Sequence, residues 1–245
     1  MKRKLIILGA FSLLTLASLG ETPSKLIDLS CWKLTLPALV EARKNAVEIK
    51  QPVLKSYTSS AFFHIDEAGE AVVFRAPCGG NTTKNSKYPR CELREMTADG
   101  KGRASWSTDN ERGRVMKIRV AVTNTPEVKK HVVCAQIHDS EDDLIMIRLE
   151  GKHLFVERKP HADVSLDRDY VLGTPFDLKV EAKKGHVKVW YNSVQKFDWE
   201  VSSQGCYFKA GCYTQSNTKK GDKAKAYGEV KIYSLEVIKA GVDSH

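Results

Sequence analysis

One stretch decides the fold, and it reads Tyr207-Phe208-Lys209-Ala210-Gly211-Cys212-Tyr213-Thr214-Gln215. Polar and apolar residues alternate along it, and the side chains of a β-strand alternate between its two faces. The polar face is formed by Tyr207, Lys209, Gly211, Tyr213 and Gln215. The opposite face is formed by Cys206, Phe208, Ala210 and Cys212. The stretch therefore predicts a strand with one polar and one buried face, as in an antiparallel sheet.

Two further segments show the same alternation. In Arg90-Cys91-Glu92-Leu93-Arg94 the three charged residues share a face, and in Gln136-Ile137-His138 the glutamine and the histidine share a face. Together with Lys209 and Tyr213, these side chains predict a cationic groove that holds an acid and a base. Such a groove suits an acidic polymer whose charge must be neutralised before a proton is removed.

The remainder of the chain is also rich in strands. Runs of β-branched and aromatic residues recur between turn signals at 71–76, 114–123, 132–138, 144–150, 152–158, 176–182, 186–191 and 229–238. Gly151 and the Lys183-Lys184-Gly185 triplet predict hairpin turns. The one candidate for a helix is Val40 to Lys50, where apolar positions are sparse. This pattern predicts an all-β sandwich or barrel, and a jelly roll with one concave sheet would gather the polar segments into a cleft.

The first twenty residues are predicted to be a secretory signal peptide. Lys2, Arg3 and Lys4 precede an apolar run from Leu5 to Leu16, and small residues follow up to Gly20. We therefore expect one catalytic domain over 21–245 and a secreted protein, extracellular or periplasmic, with no membrane span. Removal of the signal lowers the formal net charge from +9 to +6, which favours acidic partners.

All six cysteines lie in the mature chain, and an oxidising compartment favours disulfides. Cys78 and Cys91 flank a Gly-rich polar loop, so this pair is the favoured bridge. Cys206 and Cys212 would be about 20 Å apart along one strand, too far to pair unless the strand is interrupted. Free buried thiols are the alternative for Cys134, Cys206 and Cys212.

Each polar segment has an alternative explanation when it is taken alone. The charges at 90–94 suit an exposed strand, His138 suits a structural role, and Tyr213 suits packing at a strand end. Gly211 is explained either by close approach of a sugar or by a β-bulge. The basic segment 216–225 is either a solvated tip or an arm over the groove.

In combination, the segments resemble the alginate lyases of polysaccharide lyase family 7. That family carries an Arg-x-Glu-Leu-Arg strand, a Gln-(Ile/Val)-His strand and a Tyr-Phe-Lys-Ala-Gly-x-Tyr-x-Gln strand in this order, and all three match here. The segment from Trp32 to Pro37 also looks like the opening strand of the family.

The resemblance implies a β-jelly roll that cleaves 4-linked uronate chains by β-elimination. It implies a catalytic set of Arg90, Gln136, His138 and Tyr213. It implies a substrate-binding set of Glu92, Arg94, Tyr207, Lys209 and Gln215. No metal or other cofactor is implied, because arginine and glutamine neutralise the carboxylate. In this family Ile at the middle of Gln-x-His is associated with guluronate-containing blocks, so Ile137 predicts polyguluronate or mixed-block preference. Endolytic action is a separate expectation for a lyase of this family.

Two other functions compete with this prediction. The first is a lyase of another polyuronate such as glucuronan, and the second is a non-catalytic carbohydrate-binding β-sandwich. Retention of both His138 and Tyr213 argues against the second, because binding alone needs neither an acid nor a base. The secretion signal argues against a nucleic-acid partner. We expect a monomer whose partner is an acidic polysaccharide.

Overall fold

The computed structural model describes residues 21–38 and 45–239. These ranges contain fifteen strands and three short 3-10 turns, at Pro23–Lys25, Val53–Ser56 and Thr218–Lys220. The strands are β1 (Trp32–Leu36), β2 (Val47–Ile49), β3 (Phe63–Ile65), β4 (Val72–Pro77), β5 (Arg90–Glu95), β6 (Arg114–Asn124), β7 (His131–His138), β8 (Asp143–Glu150), β9 (His153–Glu157), β10 (Val164–Asp167), β11 (Phe176–Lys183), β12 (His186–Tyr191), β13 (Val194–Glu200), β14 (Tyr207–Thr214) and β15 (Tyr227–Lys239).

The strands form two antiparallel sheets. The groove sheet has eight strands in the order β10-β9-β8-β7-β14-β5-β1-β2, and the back sheet has seven in the order β13-β12-β11-β6-β15-β4-β3. The prediction of an all-β fold is confirmed. The predicted hairpins are present as well, with β8 paired to β9 and β11 to β12.

The three polar segments lie side by side at the centre of the groove sheet, as β7, β14 and β5. Their register brings the predicted site residues into cross-strand pairs, which are Lys209 with Arg94, Tyr213 with Arg90, Lys209 with Gln136, and Tyr207 with His138. Directly opposite residues share a face, so these side chains all project from the same side of the sheet.

The other side of the same strands forms the core between the sheets. Cys91, Leu93, Ile137, Phe208 and Cys212 are all fully buried there. Burial of each large apolar side chain contributes on the order of 1.5–3 kcal/mol to stability. Because the side-chain period is two residues, this buried row fixes which residues face the groove.

Gly211 forms a β-bulge, which favours the bulge over close sugar approach among the two explanations of this glycine. The pairing of β14 with β7 is interrupted between Ala210 and Tyr213, and Gly211 has a φ of 134°. A Cβ atom added there would lie 2.7 Å from the Cys91 carbonyl oxygen and 2.9 Å from Phe74 Cδ1. The space beside Gly211 is thus filled by the protein itself, and only glycine fits.

Two sequence predictions are wrong. Part of the candidate helix, Val47–Ile49, is strand β2 and pairs with β1. Pairing with β1 provides hydrogen-bond partners for the backbone, whereas the sparse apolar residues of this segment could not pack a helix against the core. The part at 40–44 lies outside the described residues. The favoured disulfide is also absent, since all six cysteines are free thiols.

The position of the two thiols explains why Cys78 and Cys91 do not pair. Cys91 points into the core, where its Sγ donates to the carbonyl oxygen of Phe62 at 3.2 Å. Cys78 lies beyond β4, and its backbone N–H donates to the Ala226 carbonyl oxygen at 2.7 Å. Cys206 and Cys212 remain unpaired as well, one directly before β14 and the other within it, and the bulge at Gly211 does not bring them together.

Among the described residues no helix is both long and apolar enough to cross a bilayer. The predicted signal peptide, residues 1–20, lies outside these residues.

Candidate active site

A groove of about 420 Å³ lies over the centre of the groove sheet. Its lining includes most of the residues predicted from the sequence, namely Arg90, Arg94, Gln136, His138, Tyr207, Lys209 and Tyr213. The groove is thus built from β5, β7 and β14, with the loop 83–86 on one side and residues 141–143 on the other.

Glu92 lies beneath this lining and connects its donors. It is 1% exposed, and its carboxylate forms ion pairs with Lys209 at 2.6 Å and with Arg90 at 3.1 Å. The side-chain amide of Gln136 donates to the other carboxylate oxygen. One buried carboxylate therefore fixes a donor from each of the three central strands.

The charges in this cluster determine each other's ionisation. Burial acts to raise the pKa of the Glu92 carboxyl, but the charges of Lys209 and Arg90 hold that pKa below its ordinary value. Burial lowers the pKa of Lys209 to about 8, although Glu92 opposes this shift. Near neutral pH the cluster therefore has two cations for one anion, and the excess positive charge faces the groove.

Tyr213 is held by Arg90 and by Ser86. The guanidinium carbon of Arg90 lies 3.7 Å from the centroid of the Tyr213 ring. The Ser86 hydroxyl lies 3.0 Å from the Tyr213 hydroxyl and 3.1 Å from Arg90 Nη2. The phenolic oxygen is therefore fixed at the groove surface next to the Arg90 guanidinium.

His138 lies at the other end of β14, stacked on Tyr207. The ring centroids are 5.1 Å apart and the rings are inclined by 12°, and the guanidinium carbon of Arg94 lies 3.8 Å from the centroid of the Tyr207 ring. His138 Nδ1 is 3.0 Å from the Asp139 carbonyl oxygen, which only accepts, so Nδ1 carries the proton. Burial lowers the pKa of His138 below its ordinary value, although the Asp139 carbonyl opposes this. The neutral ring then presents an unprotonated Nε2, as a general base requires.

Ser86 and Lys33 are among the groove residues that the sequence analysis did not assign. Ser86 lies in a loop, where no strand period indicates its direction. Lys33 pairs with Arg94 across β1 and β5 and lines the groove, and its ammonium bonds to Glu48. The alternation of Lys33 and Thr35 along the opening strand was the available signal for this second residue.

Gln215 is the one predicted site residue that lies away from the others. It follows the end of β14, is 7% exposed, and directs its amide nitrogen towards Met146 Sδ at 4.0 Å. It is not part of the groove lining. The strand alternation gives its face correctly but not its distance from the groove.

Comparison with known proteins defines the class of this protein. The sequence model of the alginate lyase family matches residues 27–239. Alginate lyase AlgAT5 from polysaccharide lyase family 7 is 55% identical, with a TM-score of 0.85 over 89% of this chain and 99% of that chain. An alginate lyase from Corynebacterium sp. is 39% identical, with a TM-score of 0.84 over 89% of this chain and 97% of that chain.

The chain belongs to polysaccharide lyase family 7, the alginate lyases. It is thus a lyase with alginate as its substrate, and the predicted jelly-roll fold is confirmed. A third relative is the family 7 alginate lyase A1-II', which is 27% identical, with a TM-score of 0.77 over 91% of this chain and 99% of that chain. That structure carries one histidine and one tyrosine substitution and is in complex with substrate (GGMG).

Proposed function

We propose that this groove cleaves the 4-linked uronate chain of alginate by β-elimination, within the chain rather than at its ends. The observation that carries the proposal is the buried Glu92 carboxylate, which orients Arg90, Gln136 and Lys209 beneath one face of the groove. His138 and Tyr213 line that same face. An anion-binding donor set between a base and an acid is what β-elimination from a uronate requires.

The first task of the site is to make the C5 proton acidic. Removal of that proton places negative charge on the uronate carboxylate as an enolate-like species, and preorganised donors stabilise this charge. The Gln136 amide has a second N–H, and Lys209 has further protons, beyond those bound to Glu92. We assign these donors, with Arg90, to the substrate carboxylate.

The second task is to move two protons. His138 Nε2 or the Tyr213 phenolate takes the C5 proton, according to the face on which that proton lies. The C5–H electrons form the C4=C5 double bond, the bond from C4 to the glycosidic oxygen breaks, and Tyr213 protonates the departing oxygen. The product is a chain with an unsaturated uronate at its new non-reducing end.

Endolytic action is supported by the position of the site in the sheet. The strands β7, β14 and β5 have three strands on one side and two on the other, so the sheet continues in both directions. A time course of product sizes tests this point. Early products of many lengths indicate internal cleavage, and a single short product from the beginning contradicts it.

Guluronate-containing or mixed blocks are the proposed preference, based on Ile137. Its side chain is fully buried and faces the core, so any effect on the groove acts through the position of β7. The substrate (GGMG) held by A1-II' supports binding of a mixed oligosaccharide in this fold. Digestion of pure blocks decides the preference, and cleavage of polymannuronate alone contradicts it.

Secretion is proposed from the sequence of residues 1–20. Expression of the full chain in a bacterial host, followed by N-terminal sequencing of the exported protein, tests the proposal. A new N-terminus near Glu21 supports it, and a retained Met1 in the cytoplasmic fraction contradicts it.

The direct test of the reaction is ultraviolet absorbance of the unsaturated uronate while the mature protein acts on alginate. A panel that includes glucuronan runs beside it. Absorbance that rises on alginate and stays flat with Tyr213→Phe supports elimination at this site. A rise on glucuronan alone contradicts alginate as the substrate.

A further inference from the structure

A second cavity, of about 640 Å³, lies next to the groove between two loops. One loop joins β4 to β5 and contributes Lys87 and Tyr88, and the other joins β14 to β15 and contributes Asn217, Lys219 and Lys220. The first loop also forms a wall of the groove through residues 83–86. The two cavities therefore lie on either side of the same short loop.

An aromatic contact joins the linings of the two cavities. The Tyr88 ring, which lines the second cavity, lies 6.5 Å from the Tyr213 ring, which lines the groove. A polymer that leaves the groove beside Tyr213, across the loop 83–86, reaches Tyr88. Its half-buried ring offers an apolar surface on the way, which suits the face of a sugar ring.

The second loop is an ordered structure. Asp222 is 3% exposed, and its carboxylate accepts from Ser216 Oγ at 2.6 Å and from the Val128 backbone N–H at 2.8 Å. The Asn217 amide donates to the Lys87 carbonyl oxygen at 2.8 Å, which ties the two loops together. Gly79 N–H donates to the Ala224 carbonyl oxygen at 2.8 Å as a second tie. The basic segment is therefore held beside the groove and is not a loose tip.

The lysines of this cavity differ from those of the groove in their charge balance. In the groove, Lys209 is paired with Glu92 and Lys33 with Glu48. Lys87, Lys219 and Lys220 are exposed, and within the described part of the chain none of them forms an ion pair. The buried Asp222 carboxylate is already occupied by its hydrogen bonds, so the cavity presents three positive charges to an anion.

The side of the groove opposite to the loop 83–86 is lined by Glu141, Asp142 and Asp143. Lys159 pairs with Asp143, and repulsion from the other two carboxylates disfavours a polyanion on this side. A uronate chain that extends beyond the groove is thus attracted towards Lys87, Lys219 and Lys220 and away from residues 141–143.

We propose that the cavity between the two loops is an outer binding site for uronates of the same alginate chain that occupies the groove. This proposal rests on the proposed function. Lys87, Lys219 and Lys220 bind the carboxylates of sugars beyond the point of cleavage, and Tyr88 contacts their rings. Long chains therefore bind more tightly because of this site, whereas oligosaccharides that fill only the groove do not.

The test compares polymer with the shortest oligosaccharide that the wild-type protein cleaves. For Lys219→Ala/Lys220→Ala, the ratio of kcat/KM on polymer to kcat/KM on the oligosaccharide falls on the order of three- to tenfold, since exposed ion pairs are individually weak. The fall in kcat/KM on the polymer comes from a higher KM, with kcat unchanged. It shrinks in high salt, because screening already weakens these contacts in the wild-type protein.

Two controls separate a site from general attraction between charges. Lys55→Ala/Lys196→Ala removes the same charge at exposed positions outside the cavity and keeps the wild-type ratio. Lys219→Arg/Lys220→Arg keeps the charge and also keeps the ratio. An unchanged ratio in Lys219→Ala/Lys220→Ala, or an equal fall in the Lys55/Lys196 control, overturns the outer site. Absence of unsaturated product with the wild-type protein would instead contradict the proposed function itself.

Discussion

The hydroxyl oxygen of Ser86 lies 3.0 Å from the phenolic oxygen of Tyr213. The same serine oxygen accepts from Arg90 Nη2 at 3.1 Å and from the Tyr88 backbone N–H at 3.2 Å. A hydroxyl has two acceptor positions, and these two bonds fill them. The single proton of Ser86 lies within reach of two acceptors, the Tyr88 carbonyl oxygen at 3.0 Å and the phenolic oxygen of Tyr213, so the serine holds the phenol against the loop that contains Tyr88.

Replacement of Ser86 should slow the reaction through the position of Tyr213. For Ser86→Ala we expect kcat to fall on the order of tenfold, since small displacements of a reacting group are costly. KM should change little, because Ser86 is not assigned to the substrate carboxylate. Ser86→Thr keeps the hydroxyl and should recover most of the rate. A wild-type kcat in Ser86→Ala would show that Arg90 alone positions Tyr213.

Removal of the acid or the base should abolish turnover without unfolding the protein. Tyr213→Phe and His138→Ala should each reduce kcat on the order of 10²–10⁴-fold. Both side chains lie at the groove surface, so the thermal unfolding temperature should stay close to that of the wild type. Absorbance assays with parallel thermal melts check both parts, and near-wild-type turnover in either variant refutes the role assigned to that residue.

Neutralisation of Glu92 should destabilise the fold. Glu92→Gln leaves Arg90 and Lys209 buried without their anion, and such a loss is worth about 3–5 kcal/mol of unfolding free energy. Urea unfolding measures it. Glu236→Gln is the matched control, since Glu236 pairs with Lys117 on the exposed surface, and its effect should stay within about 0.5 kcal/mol.

A second variant separates charge from shape in this cluster. Glu92→Gln/Lys209→Gln removes one charge of each sign and should recover part of the lost stability. Its activity should stay low, because the groove has lost both the orienting carboxylate and a cation. Equal stability of wild type and Glu92→Gln would contradict an ionised Glu92.

The activity should fall on the alkaline side as the pH rises through about 8, the pKa to which burial lowers Lys209. The activity falls rather than rises because, above this pKa, the lysine is neutral and no longer attracts the substrate carboxylate. Lys209→Arg keeps the charge at all accessible pH values, so its alkaline limb should move upward. An unchanged limb in pH–rate profiles of this variant would exclude Lys209 as its origin.

The acid side of the same profile should reflect His138. Because burial lowers the pKa of this residue, its base form persists below the ordinary histidine pKa. The acid limb of kcat/KM should therefore lie below pH 6.5, the ordinary value. A limb above that value would show that His138 is stabilised in its charged form.

The sequence predicts the fold and most of the groove because one physical rule governs both. Alternation in strands places Arg90, Gln136, His138, Lys209 and Tyr213 on one face, and the apolar residues between them fix that face by burial. This rule needs no long-range information except the order of strands in the sheet.

The features that the sequence does not predict depend on contacts between distant segments. Ser86 lies in a loop, where direction has no period, and its role is visible only beside Tyr213. The Gly211 bulge depends on the backbone of β5, and the strand at Val47–Ile49 depends on its pairing with β1. The free Cys78 and Cys91 thiols show that closeness in sequence does not give closeness of sulfur atoms.

The strands β5, β7 and β14 form both the groove and the core, and this limits how the enzyme can be altered. Each of these strands alternates between a chemical group and a core group, so an insertion or deletion within it exchanges the two sets. The catalytic frame is therefore resistant to gradual change, whereas the loops at 78–89 and 215–226 carry no such alternation. Attempts to redirect this lyase to other polyuronates are best confined to those loops, with the three strands left untouched.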